Sequence, residues 1–217
     1  MRERCSCQSA CRVQLHIGGE LVPSSSNWHR PRDNALLQIG FFGGFRRSEL
    51  VQIDMRDLDW DKEGVTIMLP RSKTDQTGEG IRKAIPHGSF PRCPVSALRT
   101  WLDQSKLTEG AIFRPVSRWG RIGTGALLPS AVNDILVSAA ELAGLSYFPE
   151  LASHSLRRGM ATSSYRAGAS MREIKRQGGW RHDGTVHGYI EEASRFEENA
   201  ARVLLGRRIQ NKGGNRE

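Results

Sequence analysis

The chain has 217 residues, 38% of them hydrophobic, and a formal net charge of +9 at pH 7. That length can bury one good core, or a core with an appendage. The basic surplus points to an anionic partner, either nucleic acid or an acidic membrane surface. No apolar run approaches the roughly 20 residues that span a bilayer. The opening MRERCSCQSACRV has no long apolar stretch of the kind a signal peptide needs, so a cytoplasmic protein without a membrane segment is expected.

Residues 1–29 read as a tail: Gly18, Gly19, Pro23 and the run Ser24, Ser25, Ser26 favour loop over regular structure. Cys5, Cys7 and Cys11 are not paired as C-x-x-C, and no second pair completes a tetrahedral zinc set, so they and Cys93 read as free thiols in a reducing compartment. From Arg30 the pattern turns helical, with Ala35, Leu36, Leu37, Ile39 and Phe41 forming a mostly buried segment that stops at Gly43 and Gly44. A second helix runs through Ser48, Leu50 and Val51. Arg46 and Arg47 stand at its start, where cations oppose the helix dipole and an anion would resolve the mismatch. Taken alone, they read equally well as solvated charges.

Val65, Ile67 and Leu69 alternate as a strand, and Ile81 with Ile85 marks the returning limb. Between them PRSKTDQTGEGIRK forms a polar hairpin tip. Its Lys73 is by default a solubilising charge, and Lys83 would serve as well. The middle of the chain is scaffold. One helix opens at Pro94 with Val95, Leu98, Trp101 and Leu102 on one face. Another opens at Pro129 and Ser130, with Val132, Ile135, Leu136, Ala139 and Leu142 inside and Gly144 as its stop. The basic loop FRPVSRWGRIGTGA lies between them.

The stretch from Ser153 to Ala193 carries the densest chemistry. His154 and Arg157 are three apart, so a helix beginning near Ser153 puts both on one face. An imidazole and a guanidinium beside free N–H groups at a helix start suit a phosphate. Ser170 and Glu173 form a capping box for a helix ending near Gly178. The run GGW follows, and Tyr189 lies nine positions beyond Trp180. Of the other tyrosines, Tyr165 falls inside the preceding helix as a packing residue, and Tyr147 lies before the motif.

HSLRRG, followed by AG, GGW and Tyr189, resembles the C-terminal signature of the tyrosine recombinases, the phage integrase family. GGFRRSELVQI resembles that family's first-arginine motif, and RSKTDQ resembles its lysine hairpin. The three motifs stand in the family's order from about Arg30 to Leu205. The resemblance implies an α+β, mainly helical catalytic domain over residues 30–205, with a small antiparallel β-sheet carrying the lysine hairpin, followed by a basic tail at 206–217. It implies that Arg46 and Arg157 clamp a DNA phosphate and that Tyr189 attacks it. His154 would assist removal of the phenol proton or align the phosphate. Lys73 would protonate the departing 5′ oxygen. Trp180 takes the place where most relatives have histidine; an indole donates one hydrogen bond and packs but cannot carry a proton. Glu49 would orient Arg46 without being catalytic.

The reaction implied is strand cleavage and rejoining through a 3′-phosphotyrosyl link, with no metal, ATP or other cofactor. The partner is double-stranded DNA, held by a homotetramer. In relatives the last helix docks on a neighbouring subunit. Here Phe196, Ala200, Val203 and Leu204 share a helical face that would serve such docking or close the chain's own core. Relatives also carry a separate helical DNA-gripping domain in front, and the expectation is a catalytic domain with a shortened or replaced front. Two other readings stay open: a catalytically impaired DNA-binding remnant of an integrase, and a phosphatase or nuclease using the same Arg and His residues.

Overall fold

The computed structural model describes residues 29–69, 80–89, 92–145, 151–196 and 199–204. The N-terminal tail, the hairpin tip with Lys73, Tyr147 and the basic C-terminal tail lie outside the described residues. The first helix, α1, spans His29–Phe42 and is followed by a two-glycine turn and a short helix, α2, at Arg47–Val51. A single 3-10 turn at Met55–Asp57 leads into a three-stranded antiparallel sheet, β1 (Leu58–Asp61), β2 (Gly64–Leu69) and β3 (Ile81–Pro86), in the order β1-β2-β3. Five longer helices and one short one complete the order. They are α3 (Pro94–Ser105), α4 (Ala131–Leu142), α5 (Ser153–Arg166), α6 (Met171–Gly178), α7 (Asp183–Ser194) and α8 (Ala200–Leu204).

Apolar spacing explains the packing. Ala35, Leu36, Leu37 and Ile39 are all buried, so α1 has core on nearly every side; it packs on α3 and on α5. Trp101 of α3 is fully buried and donates its indole N–H to the carbonyl of Ile112 at 2.7 Å, which satisfies the one polar atom it brings inside. In the sheet, Val65 pairs with Ile85, Ile67 with Lys83 and Leu69 with Ile81. Opposed residues of an antiparallel pair share a face, so Lys83 stands among five apolar side chains on the core side. The capping box of α6 is present: Ser170 Oγ accepts from the Glu173 N–H, and Glu173 Oε2 accepts from the Ser170 N–H at 2.7 Å. Cys93, a free and buried thiol, caps α3 by accepting from the Ser96 N–H.

A second, smaller cluster joins the last three long helices. Ala161 of α5, Ile174 of α6, and Val186 and Ile190 of α7 are buried together, with Tyr165, Tyr189 and Trp180 packed against them. Trp180 touches the main core as well, so the GGW segment is the seam between the two clusters.

Three expectations need correction. Leu142 is 71% exposed rather than inside. The buried residues of α4 are Val132, Ile135, Leu136, Ala139 and Ala140; Leu142 lies seven positions beyond Ile135, at the edge of that face, but it is the last residue of the helix, and Ala143 is the residue there that packs on the core. Phe196 does not share a helix with Ala200, because α7 ends at Ser194 and α8 starts at Ala200. It is 71% exposed, so it closes no core of its own chain. The strand β1 has no counterpart among the expected elements: LDWD is four residues long, half of them acidic and exposed.

Candidate active site

Arg157 is the centre of the site. It sits on the second turn of α5 and is 3% exposed, and burying a guanidinium is costly unless its donors are met. Its Nη1 donates to the carbonyls of Gly44, in the turn after α1, and Gly178, the last residue of α6. Its guanidinium carbon lies 4.0 Å from the centroid of the Trp180 ring, a cation–π contact. Its Nη2 is buried and has no hydrogen-bond partner among the described residues. Burial pushes the Arg157 pKa down from 12.5 to about 10; Arg46 adds to this, and Glu49 and Tyr189 oppose it. Arg157 therefore stays charged at neutral pH with one arm seated on carbonyls and the other buried without a partner among the described residues.

The backbone around it requires glycine. Gly44 has φ of +56°, a left-handed conformation that costs other residues about 1–2 kcal/mol. A Cβ there would lie 2.4 Å from Met160 Cε and 3.3 Å from Gly178 Cα. The two glycines whose carbonyls receive Arg157 thus run close together, with no room between them for a side chain on Gly44.

Arg46 precedes the first residue of α2, and its side chain is 43% exposed. Its Nη1 is ion-paired with Glu49 Oε1, and its backbone N–H donates to Glu49 Oε2 at 2.9 Å. Arg46, Arg47, Ser48, Asn133, His154 and Arg157 line one cavity of about 320 Å³. His154 and Arg157 reach it from the first turns of α5, one exposed and one buried. A larger groove of about 950 Å³ shares Arg46 and runs past Trp180, with Arg172, Lys175, Arg176 and Arg181 along it. The two hollows meet at Arg46, with the Arg157–Trp180 stack beside them.

Tyr189, on the second turn of α7, packs edge-on against Trp180 with ring centroids 6.2 Å apart. The Arg158 guanidinium carbon is 5.6 Å from the Tyr189 ring centroid. Five of the six expected site residues, Arg46, His154, Arg157, Trp180 and Tyr189, are thus neighbours within one region assembled from α2, α5, the α6–α7 turn and α7. The sixth, Lys73, lies outside the described residues. Two further residues join the region. Arg158 stacks toward the phenol, and Lys83 is buried beneath the two glycine turns, with its ammonium 2.7 Å from the Gly43 carbonyl. The signal for Lys83 was in the sequence: Ile81-x-Lys83-x-Ile85 places it on the inward face of its strand.

The phage integrase family profile matches residues 22–195. An integrase/recombinase xerD homolog of Selenomonas ruminantium is 41% identical over 170 residues, 78% of this chain and 50% of that protein. Tyrosine recombinase XerC of Corynebacterium glutamicum is 32% identical over 148 residues, 66% of this chain and 41% of that protein. The chain therefore spans half or less of the length of these relatives. Among solved structures, the XerH site-specific recombinase bound to its palindromic difH substrate in a post-cleavage complex superposes with a TM-score of 0.65 at 21% identity, over 92% of this chain and 52% of that one. XerA recombinase does so with a TM-score of 0.64 at 20% identity, over 96% of this chain and 65% of that one. These likenesses show the fold.

Proposed function

The chain belongs to the phage integrase family, and from that premise we propose that it cleaves and rejoins DNA strands at specific sites through a 3′-phosphotyrosyl intermediate. The observation that carries the reading is Arg157: a buried guanidinium with one arm fixed on two carbonyls and the other, Nη2, without a partner among the described residues, on a residue that lines a cavity together with Arg46 and His154. A non-bridging phosphate oxygen is the acceptor such an arm lacks.

In the proposed reaction the Tyr189 oxygen forms a bond to phosphorus and the P–O5′ bond breaks. The phenol proton leaves with the help of His154, and Lys73 supplies a proton to the departing 5′ oxygen. Arg46, held by Glu49, and Arg157 stabilise the charge that grows on the non-bridging oxygens; one such donor is worth about a hundred- to a thousandfold in rate. Trp180 contributes shape and the stack under Arg157, not a proton. The phosphodiester energy is kept in the tyrosyl bond, so attack by another strand's 5′ hydroxyl reverses the step without ATP or a metal.

The partner proposed is duplex DNA, in keeping with the +9 charge and the arginine-lined groove. Assembly as a homotetramer through the C-terminal segment is supported by Phe196, which presents an unburied aromatic ring just past α7. Among the described residues no helix is long and apolar enough to cross a membrane, and a cytoplasmic site of action is proposed.

The test is to incubate the chain with nicked duplexes of randomised sequence, in which the freed 5′ fragment diffuses away, and to isolate protein–DNA adducts that survive denaturation. The expected result is an adduct whose DNA converges on one sequence and which Tyr189→Phe abolishes. DNA binding without any adduct would refute the reading.

A further inference from the structure

Lys83 has no role in the reaction just described, yet among the described residues it is the most deeply buried cation. It is 2% exposed and faces inward from β3 opposite Ile67, where an aliphatic residue would fill the core without a desolvation cost. Its ammonium instead donates to three carbonyls, Gly43 at 2.7 Å, Gly44 at 3.2 Å and Gly178 at 3.3 Å, and lies 4.5 Å from the Phe45 ring centroid. In the charged form each of its three protons has an acceptor. Two of the three acceptors, Gly44 and Gly178, are the same carbonyls that receive Arg157 Nη1. A carbonyl has two lone pairs, and each of these is filled by one lysine and one arginine donor.

We propose, building on the phosphate-site reading above, that Lys83 is a positioning residue: it holds the Gly43–Gly44 turn and the end of α6 together as the seat on which Arg157 is aimed. Without the ammonium, Nη1 would have loosely held acceptors and the unpartnered Nη2 arm would lose its direction. The junction itself has a second tie, since Gln177 Nε2 donates to Phe42 O at 2.8 Å and Ala84 O at 3.1 Å. Loss of Lys83 is therefore expected to misalign the seat more than to dismantle it.

The position also couples Lys83 to the anion. Burial pushes its pKa down from 10.5 to about 7, with Glu49 opposing and Arg157 and Arg46 adding; these three are the charged groups that act on it among the described residues. An anion bound by Arg157 stabilises the protonated form, and by linkage the protonated form binds the anion more tightly.

The probe is sodium tungstate, a phosphate-shaped oxyanion that stays dianionic through neutral pH, titrated calorimetrically into the full chain at about pH 8 in buffers of differing ionisation enthalpy. All variants carry His154→Gln, so that the imidazole contributes no proton. The protein with Lys83 is expected to take up protons on binding tungstate, as a group whose protonated form the anion favours must. Lys83→Met is expected to take up none and to bind about tenfold more weakly. Lys83→Arg, charged at every pH used, should recover affinity without proton uptake. Wild-type affinity in Lys83→Met, or proton uptake that persists in it, overturns the inference. Should Lys83→Met not fold, the absence of proton uptake by the Lys83 protein does so. Failure of the protein with both His154 and Lys83 intact to bind tungstate at all overturns the phosphate-site reading, whereas normal binding with a silent Lys83 overturns this inference alone.

Discussion

Replacing Gly178 with alanine tests how tightly the seam at Trp180 is built. Gly178 is the last residue of α6, and its backbone is helical, so alanine carries no conformational penalty and would by propensity gain up to about 1 kcal/mol. The added Cβ, however, would lie 1.8 Å from Trp180 Cζ3 and 2.1 Å from Cε3. A rigid indole can relieve that only by moving on the order of 1–2 Å, since carbon contacts settle near 3.5–4.0 Å. The movement gives up the Arg157 stack at 4.0 Å, worth about 0.5–2 kcal/mol. It also gives up the edge contact with Tyr189, worth about 0.5–1.5 kcal/mol, while overpacking adds about 1–3 kcal/mol. The net expectation is a destabilisation of about 3 kcal/mol, read from urea unfolding. Adduct formation should fall on the order of a hundredfold, because a misplacement of about 1 Å at a reacting group costs that much. The double variant Gly178→Ala/Trp180→Ala removes the clash, so the two losses should be less than additive. Unfolding within about 0.5 kcal/mol of wild type, together with a wild-type adduct rate, would refute this account of the seam.

Other perturbations separate chemistry from scaffold. Arg157→Lys keeps the charge but has no fork with which to seat one arm and offer the other; adduct formation is expected to drop about a hundred- to a thousandfold in single-turnover assays. Ser170→Ala removes the cap of α6 and should cost about 1 kcal/mol in urea unfolding, with tungstate affinity unchanged, because the cap lies at the far end of the helix from Gly178. For Lys83 the lowered pKa fixes the sign: between about pH 7 and 10.5 the unfolded chain holds a proton the folded chain has released, so stability rises with pH across that window and is flat below it. Denaturation from pH 7 to about pH 9.5 should therefore show wild type gaining on Lys83→Met as pH rises, and a gap that narrows instead would contradict the burial argument.

Much of the architecture was legible because it follows from short-range patterns. The apolar run Ala35 to Phe41, the alternation Val65-x-Ile67-x-Leu69 and the box Ser170–Glu173 each encode one element, and each element is there. The intervals linking His154, Arg157, Trp180 and Tyr189 likewise described a local unit. What was not legible is non-local. Gly44 lies 113 positions from Arg157, and nothing in either segment announces that one carbonyl there will serve both an arginine and a lysine. Lys83 was misjudged for a different reason: charge suggested surface while the strand alternation said interior, and the alternation prevailed because three carbonyls lay within reach. Leu142 and Phe196 show the converse, since an apolar residue at an element's end is held inside only if a partner element covers it.

The charge balance of the site gives a reason for this arrangement. Arg46, Arg157 and protonated Lys83 are three cations gathered around a single carboxylate, Glu49, and the pKa of both Arg157 and Lys83 is pushed down mainly by burial and further by the neighbouring arginine. An empty site of this kind is electrostatically uncomfortable, and anything negative relieves it. A phosphodiester brings one charge. In the proposed reaction the charge on its non-bridging oxygens grows as phosphorus takes on the tyrosyl oxygen, so the site's unmet positive potential is satisfied better at the transition state than with the bound ester. Such a difference accelerates a reaction, whereas tight binding of the ester alone would not. The buried, fixed placement of Arg157 matters because it holds that potential in place before the substrate arrives, so that none of the reaction's free energy goes into gathering it.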